Sequence, residues 1–320
     1  MTTLRMAAAA AVLVAVAMPQ TGSAQAGAAA RERLVVTPAW LAQHLNDRDL
    51  VVLQVGRKDT YDSGHVPGAR LVNYDNGALA APMDHGGRDP NRLMLEMPGA
   101  EALRSELASL GISDASKIVV VAADDYWSPS TRVVLTLDYA GLANVAWLDG
   151  GLKGWTDAGR PLSTAMPAVQ PGALGPLKIN PVVVDAAFVK AHIRTPGFAI
   201  VDARTRNHYD GVPPQRAGAV PASKLGHIPG AGSAPYNEFA SGTGGLTTLK
   251  SDAEIKTLLA NAGVKPGDTI IAYCHIGQQA TGLIFAARTA GYQTLLYDGS
   301  FTEWQRLDLP IEKPGDKKAP

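Results

Sequence analysis

The 320-residue chain is 46% apolar and 18% charged, a globular composition with enough apolar material for the cores of two domains. Its 29 basic and 29 acidic residues cancel, so no global field draws it to nucleic acid or to an anionic membrane. A single cysteine excludes an internal disulfide framework and a cysteine-rich metal site, and the 7 histidines form no HExxH-type pair.

In chain order, Arg5 precedes the apolar run "MAAAAAVLVAVAM", polar "PQTGS" and the small-residue triplet "AQA" ending at Ala26. This pattern predicts a secretory signal peptide over residues 1–26, and with it export, most simply to a bacterial periplasm. The run of 13 residues is too short for the roughly 30 Å of a bilayer core, so no stable membrane insertion is expected after cleavage.

Strands are predicted at "LVVLQV", "KIVVVA" and "VAWLD", then at "FAIVDA", "TIIAYC" and "TLLYD", short apolar runs rich in β-branched residues. Helical stretches lie between them, such as "DAEIKTLLANAG", with Asp252 near its start and Gly263 as its stop. Alternating strands and helices predict an α/β protein with mainly parallel sheets and helices on both faces.

The elements repeat. "VVLQVGRKDTYDSGHVPGA" (51–69) aligns with "AIVDARTRNHYDG" (199–211) and, after an insertion, "GHIPGA" (226–231). "LASLGISDASKIVVV" matches "LANAGVKPGDTIIAY", and "AGLANVAWLDGGLKGW" matches "AGYQTLLYDGSFTEW". The repeat predicts one domain over 34–160, a Pro-, Gly- and Ala-rich linker over 161–177, and a second domain over 178–314.

GHxPGA, the DGG or DGS turn followed by tryptophan, and the strand ending at Cys274 together resemble the rhodanese (sulfurtransferase) superfamily, and their duplication resembles its tandem, two-domain members. In those relatives the working cysteine lies in the C-terminal domain only. Here Cys274 stands opposite Ala122, Asp202 opposite Gln54 and Arg204 opposite Gly56, so the first copy keeps the scaffold and lacks the nucleophile. Its loop "ADDYWSPS" is acidic and unfavourable to anions, and the domain is expected to act as a cover for the other's cleft.

Cys274 is placed between the end of a strand and a helix beginning near "ATGLIFAARTAG". Ligands bind at the carboxyl ends of strands in such sheets. The loop N–H groups and the helix N-terminus favour thiolate, the nucleophilic form. Gly277 permits a tight cradle, and His275, Ile276, Gln278 and Gln279 complete it as candidate substrate- or persulfide-binding residues. The bland alternative is a buried, inert thiol.

The resemblance implies transfer of a sulfane sulfur from thiosulfate or a similar donor to cyanide or a thiol acceptor through a Cys274 persulfide, without metal or organic cofactor. A protein acceptor is left open. Thiosulfate enzymes of the family tend to carry basic residues at the second and third loop positions, where this chain has His275 and Ile276. Mercaptopyruvate enzymes tend to have serine at the third. Phosphatase-like members need arginine where Ala280 stands.

Asp202 and Arg204 match a family element that is usually structural, an ion pair. His208 stands where a substrate-binding arginine is common, with Arg206 two residues earlier. Two titratable histidines in place of fixed cations imply transfer that weakens as pH rises, unless one or both rings sit solvated at the rim. His65 and His227, present in both copies, are expected to hold turns; Trp155 and Trp304 are expected to pack. "SGTGGL" (241–246) reads as a flexible loop that borders the cleft. The rival readings are an exported persulfide carrier, a thiol-based redox or sulfur-binding module with another donor such as 3-mercaptopyruvate, and an inert scaffold.

Overall fold

A computed structural model describes residues 21–74, 79, 93–213 and 221–314. The first 20 residues of the expected signal peptide, and residues 214–220 of the second copy's insertion, lie outside the described residues.

The first half runs α1 (Thr21–Leu34), β1 (Val35–Val36), α2 (Pro38–His44), β2 (Leu50–Gly56), α3 (Lys58–Ser63), β3 (Arg70–Asn73), α4 (Ala100–Ser109), β4 (Lys117–Ala122), α5 (Ser128–Tyr139), β5 (Val145–Leu148) and α6 (Gly151–Asp157). The second runs β6 (Val183–Val184), α7 (Ala186–Ala191), β7 (Phe198–Asp202), α8 (Arg206–Tyr209), β8 (Gly232–Ser233), β9 (Ala240–Ser241), β10 (Thr248–Leu249), α9 (Asp252–Asn261), β11 (Thr269–Tyr273), α10 (Gln279–Thr289), β12 (Gln293–Tyr297) and α11 (Ser300–Arg306).

Each half forms a parallel five-stranded sheet, in the orders β1-β5-β4-β2-β3 and β6-β12-β11-β7-β8. The two orders superpose strand for strand, which is the repeat expressed as topology. Alternation along β2 explains the layering. Val51, Leu53 and Val55 face a core shared with α4, α5 and the second domain, while Val52 turns to a smaller core under α2 and α6. In the second domain Ile271 and Tyr273 pack with Phe301 and Trp304 on the outer face, while Ile270 and Ala272 join the shared core.

Local chemistry sets the ends of elements. Thr37 and Asp185, at matching positions in the two copies, cap α2 and α7 by accepting from Trp40 N–H at 3.1 Å and Phe188 N–H at 2.8 Å. Ser251 and Glu254 form a capping box at α9, and Gly263 follows that helix at φ 83°.

The GHxPGA histidines hold turns in both copies, as expected. His65 stacks on Tyr61 with its Nδ1 2.9 Å from the Tyr61 carbonyl, and His227 repeats this with Tyr209 at 2.9 Å. Trp155 and Trp304 are buried and donate to the carbonyls of Pro161 (2.8 Å) and Pro310 (2.7 Å).

The segment with linker composition is pinned to the first domain. His65 pairs with Ser163, and Gly172 donates to the Ala108 carbonyl at 2.8 Å, so close to Ile112 that a Cβ would overlap its carbonyl. At the other end, α1 packs on α10 and β5, with Arg31 bonded to Asp252 at 2.6 Å.

The expected flexible loop 241–246 is the turn of a β9–β10 hairpin that docks on the first domain. Gly245 N–H bonds the Asp125 carboxylate, Gly150 N–H donates to the Thr247 carbonyl at 2.9 Å, and Leu249 N–H donates to Asp149 at 3.0 Å. Three hydrogen bonds from backbone N–H groups across the domains, two to aspartate carboxylates and one to a carbonyl, hold what composition alone reads as mobile.

Candidate active site

β11 ends at Tyr273 and α10 begins at Gln279, so Cys274 opens the turn between them with 1% of its surface exposed. Its N–H donates to Ser300 Oγ at 3.2 Å, and its carbonyl accepts from Phe301 N–H at 3.0 Å. Thr302 N–H likewise holds the His275 carbonyl at 3.1 Å. The start of α11 thus fastens the first residues of the loop.

Among the described residues, the N–H groups of His275, Ile276, Gly277 and Gln278 donate to no protein acceptor. Four available donors beside a nearly buried sulfur, at the N-terminus of an 11-residue helix, form a site suited to an anion on that sulfur. Gly277 has φ 79°, and a Cβ there would lie 2.7 Å from the Asp298 carboxylate, so the loop needs glycine on two counts.

Asp202 and Arg204 form the expected ion pair, both almost fully buried, at 2.6 Å. Arg204 also donates to the Gly226 carbonyl at 2.7 Å and lies 3.9 Å from the Phe301 ring centre. Burial alone would lower its pKa; chiefly the charge and hydrogen bonds of Asp202 hold it above the ordinary value. Its partners, Asp202, Gly226 and the Phe301 ring, fit the structural role expected of it.

His208 and His275 do come together, edge to face with ring centres 4.5 Å apart. Burial, the Arg204 charge and the His208 ring push His275 down to about 3. Burial and Arg204 also lower His208, whose Nδ1 is 2.8 Å from Thr205 Oγ1. Both titratable rings expected here are thus biased towards their neutral forms. A ring desolvated beside a permanent guanidinium loses its proton first. The pair instead closes a cavity of about 140 Å³ with Arg204 and Phe301.

Arg206 is not brought to the loop. Its guanidinium lies over the Tyr209 ring, 5.6 Å from its centre, beside a groove along the sheet edge that Arg194 and Gly230 also line. Ile276 is half-buried, and Gln279 starts α10. Gln278 is buried and accepts from the hydroxyl of Tyr126 at 2.9 Å.

That contact introduces residues the sequence reading missed. Tyr126 stands on the acidic loop of the first domain. Its hydroxyl is raised above the usual phenol pKa chiefly by burial, with the Cys274 charge adding to it. Tyr236 is pushed up to about 12 by burial, Tyr126 and Cys274. Two phenols, one from each domain, thus lie at the Cys274 loop and its helix, Tyr126 on Gln278 and Tyr236 against Gly282. The remaining signal was the DGS turn: Ser300 adopts φ 54° where its counterpart Gly151 has φ 56°. A serine kept in a backbone region that favours glycine marks a side chain with a task.

The domain signature described as "Rhodanese-like domain" matches residues 37–158 and 185–307. A Thermus thermophilus protein named "Sulfur carrier protein TtuD" is 28% identical, over 89% of this chain and 98% of its own. An Azotobacter vinelandii protein named "Thiosulfate sulfurtransferase" is also 28% identical, over 87% of this chain and 97% of its own. Among solved structures, SseA from Escherichia coli, described as having the rhodanese fold of 3-mercaptopyruvate sulfotransferases, superposes with a TM-score of 0.68. It is 24% identical and covers 83% of this chain and 98% of its own.

Proposed function

The chain belongs to the rhodanese-like domain family, and on that premise we propose that it is a sulfurtransferase whose Cys274 carries the sulfur as a persulfide. The observation that carries this reading is the nearly buried thiol at the strand-to-helix turn with four unpaired N–H donors beside it. The first domain, with the same topology, has Ala122 in its place.

With thiosulfate as donor, the Cys274 thiolate attacks the outer sulfur, an S–S bond forms, and the donor's own S–S bond breaks to release sulfite. The enzyme keeps a persulfide anion, which the N–H groups and the Arg204 charge stabilise. Cyanide then attacks the outer sulfur, leaves as thiocyanate, and restores the thiolate. A thiol acceptor leaves as a small-molecule or protein persulfide in the same way.

A second donor class is favoured by one observation. His275 is uncharged at neutral pH, Ile276 is apolar, and Arg204 is already paired with Asp202, so a dianion meets little unpaired positive charge. A monoanionic thiol such as 3-mercaptopyruvate, or a protein persulfide, suits this lining better. With mercaptopyruvate the thiolate takes the sulfur and the carbon fragment leaves as pyruvate, accepting the thiol's proton. Named relatives of both kinds, and a named sulfur carrier, agree with either donor.

The test is an intact mass of the mature protein after incubation with each donor. A gain of one sulfur that cyanide removes, and that Cys274→Ser abolishes, supports the proposal. No gain with either donor overturns it. Export with cleavage near Ala26 is part of the same proposal, and N-terminal sequencing of the protein from a fractionated host tests it.

A further inference from the structure

α5 and α10 are counterpart helices, and they pack on each other across the two domains. Counted back from their shared Ala-Gly ends (Ala140–Gly141 and Ala290–Gly291), Thr131 matches Thr281 and Asp138 matches Arg288. Both matched pairs are also contacts. The two threonine hydroxyls meet at 2.9 Å, and Arg288 bonds Asp138 at 2.7 Å. The interface is therefore close to two-fold symmetric.

The two sides differ most in what Arg132 and its counterpart Gly282 do. On the second domain, glycine leaves room for the Trp127 ring, whose nearest atom would lie 3.1 Å from a Cβ. On the first domain, Arg132 crosses to the loop that holds the thiol and is 0% exposed. Its guanidinium donates to Asp298 Oδ1 at 2.6 Å and to the Gly277 carbonyl at 3.3 Å, and it also bonds the Leu95 carbonyl. Asp298 and its counterpart Asp149 each accept a backbone N–H from the other domain, from Met97 at 2.7 Å and Leu249 at 3.0 Å. Of these two aspartates, only Asp298 also pairs with a guanidinium across the interface.

Burying a guanidinium has a desolvation cost that apolar packing avoids, so interface cohesion alone does not call for an arginine here. What arginine adds is a planar fork that reaches two acceptors at once. One acceptor is the middle of the Cys274 loop. A peptide group is planar and trans, so a carbonyl held on one side turns the next N–H to the other. By holding the Gly277 carbonyl, Arg132 sets the direction of the Gln278 N–H, one of the four unpaired donors.

We propose that Arg132, carried by the domain that lacks the thiol, is a positioning residue that bridges Asp298 and the Gly277 carbonyl and so orients the N–H cradle of Cys274. The proposal rests on Cys274 being the sulfur-carrying nucleophile. It makes the first domain part of the active site and not only its cover.

The test titrates the Cys274 thiolate by its ultraviolet absorbance, using Cys274→Ser as the blank, alongside kcat and KM for transfer and thermal unfolding. The thiolate readout needs no sulfur donor, so it stands even if the persulfide reading fails by mass. The decisive variant is Arg132→Met with Asp298→Asn, which removes both buried charges and leaves the local net charge unchanged. We expect the apparent pKa of Cys274 to rise by about one unit, a tenfold loss of thiolate below that pKa, with kcat reduced more than KM is raised. Arg132→Lys keeps the cation and loses the fork, and should give a smaller rise of the same sign. If both variants fold with native circular dichroism and keep the wild-type titration and kcat, the proposal is overturned. Loss of thermal stability with an unchanged titration overturns it too. Should the double variant not fold, Arg132→Lys decides alone by the same criterion.

Discussion

Ser300 allows the sharpest separation of backbone strain from hydrogen bonding. Its φ of 54° lies in the left-handed region, which costs a non-glycine residue about 1–2 kcal/mol. Its Oγ accepts the Cys274 N–H at 3.2 Å and donates to the Tyr297 carbonyl at 2.8 Å, in a fully buried position. Ser300→Ala keeps the strain and orphans the Cys274 N–H, a loss of about 1–3 kcal/mol. Ser300→Gly orphans the same group and removes the strain, offset by about 0.5–1 kcal/mol of backbone entropy. The glycine variant should therefore be about 0.5–1 kcal/mol more stable than the alanine variant, and both should transfer sulfur more slowly because the start of the loop is released. Urea unfolding midpoints at equal slopes measure the difference. An alanine variant as stable as wild type, or a glycine variant less stable than the alanine, refutes the reasoning.

Two further predictions concern charge. Arg204→Met leaves Asp202 buried without its cation and should cost about 3–5 kcal/mol, whereas Arg204→Met with Asp202→Asn should cost less than the single change; chemical denaturation of the three proteins checks this, and a double variant worse than the single contradicts it. His275, at about 3 when folded against 6.5 as its ordinary value, binds its proton in the unfolded chain first. Its contribution is fully present above pH 6.5 and is lost as pH falls from there towards 3. His275→Asn should flatten that part of the acid unfolding curve. Over pH 6 to 8 the transfer rate, corrected for Cys274 ionisation, should show no histidine limb, and a fall across that range would favour the titrating pair expected from the sequence.

Much of the fold was legible because the chain states it twice. Short apolar runs and glycine stops place the strands and helices, and the repeat supplies an internal control. Cys274 stands out because Ala122 occupies the same place in a scaffold that otherwise matches. Asp202 and Arg204 are two residues apart on one strand end, so their pairing was also within reach. The charge state of His208 and His275 was not, because residue type says nothing about how far a ring is desolvated or how near a guanidinium lies. The hairpin at 240–249 looked mobile because its partners, Asp125, Asp149 and Gly150, are about 100 residues or more away in sequence.

The sequence by itself determined the two-domain α/β architecture, the single cysteine and the domain that carries it, since these depend on local patterns and on comparison of one copy with the other. Only the tertiary structure decided what surrounds the sulfur. Tyr126 and Arg132 reach the loop from the other domain, Tyr236 packs on the following helix at Gly282, and Ser300 reaches the loop from the start of α11. Their proximity follows from how two nearly equivalent domains dock. That docking depends on the combined shape and polarity of both surfaces, which no local stretch of sequence encodes.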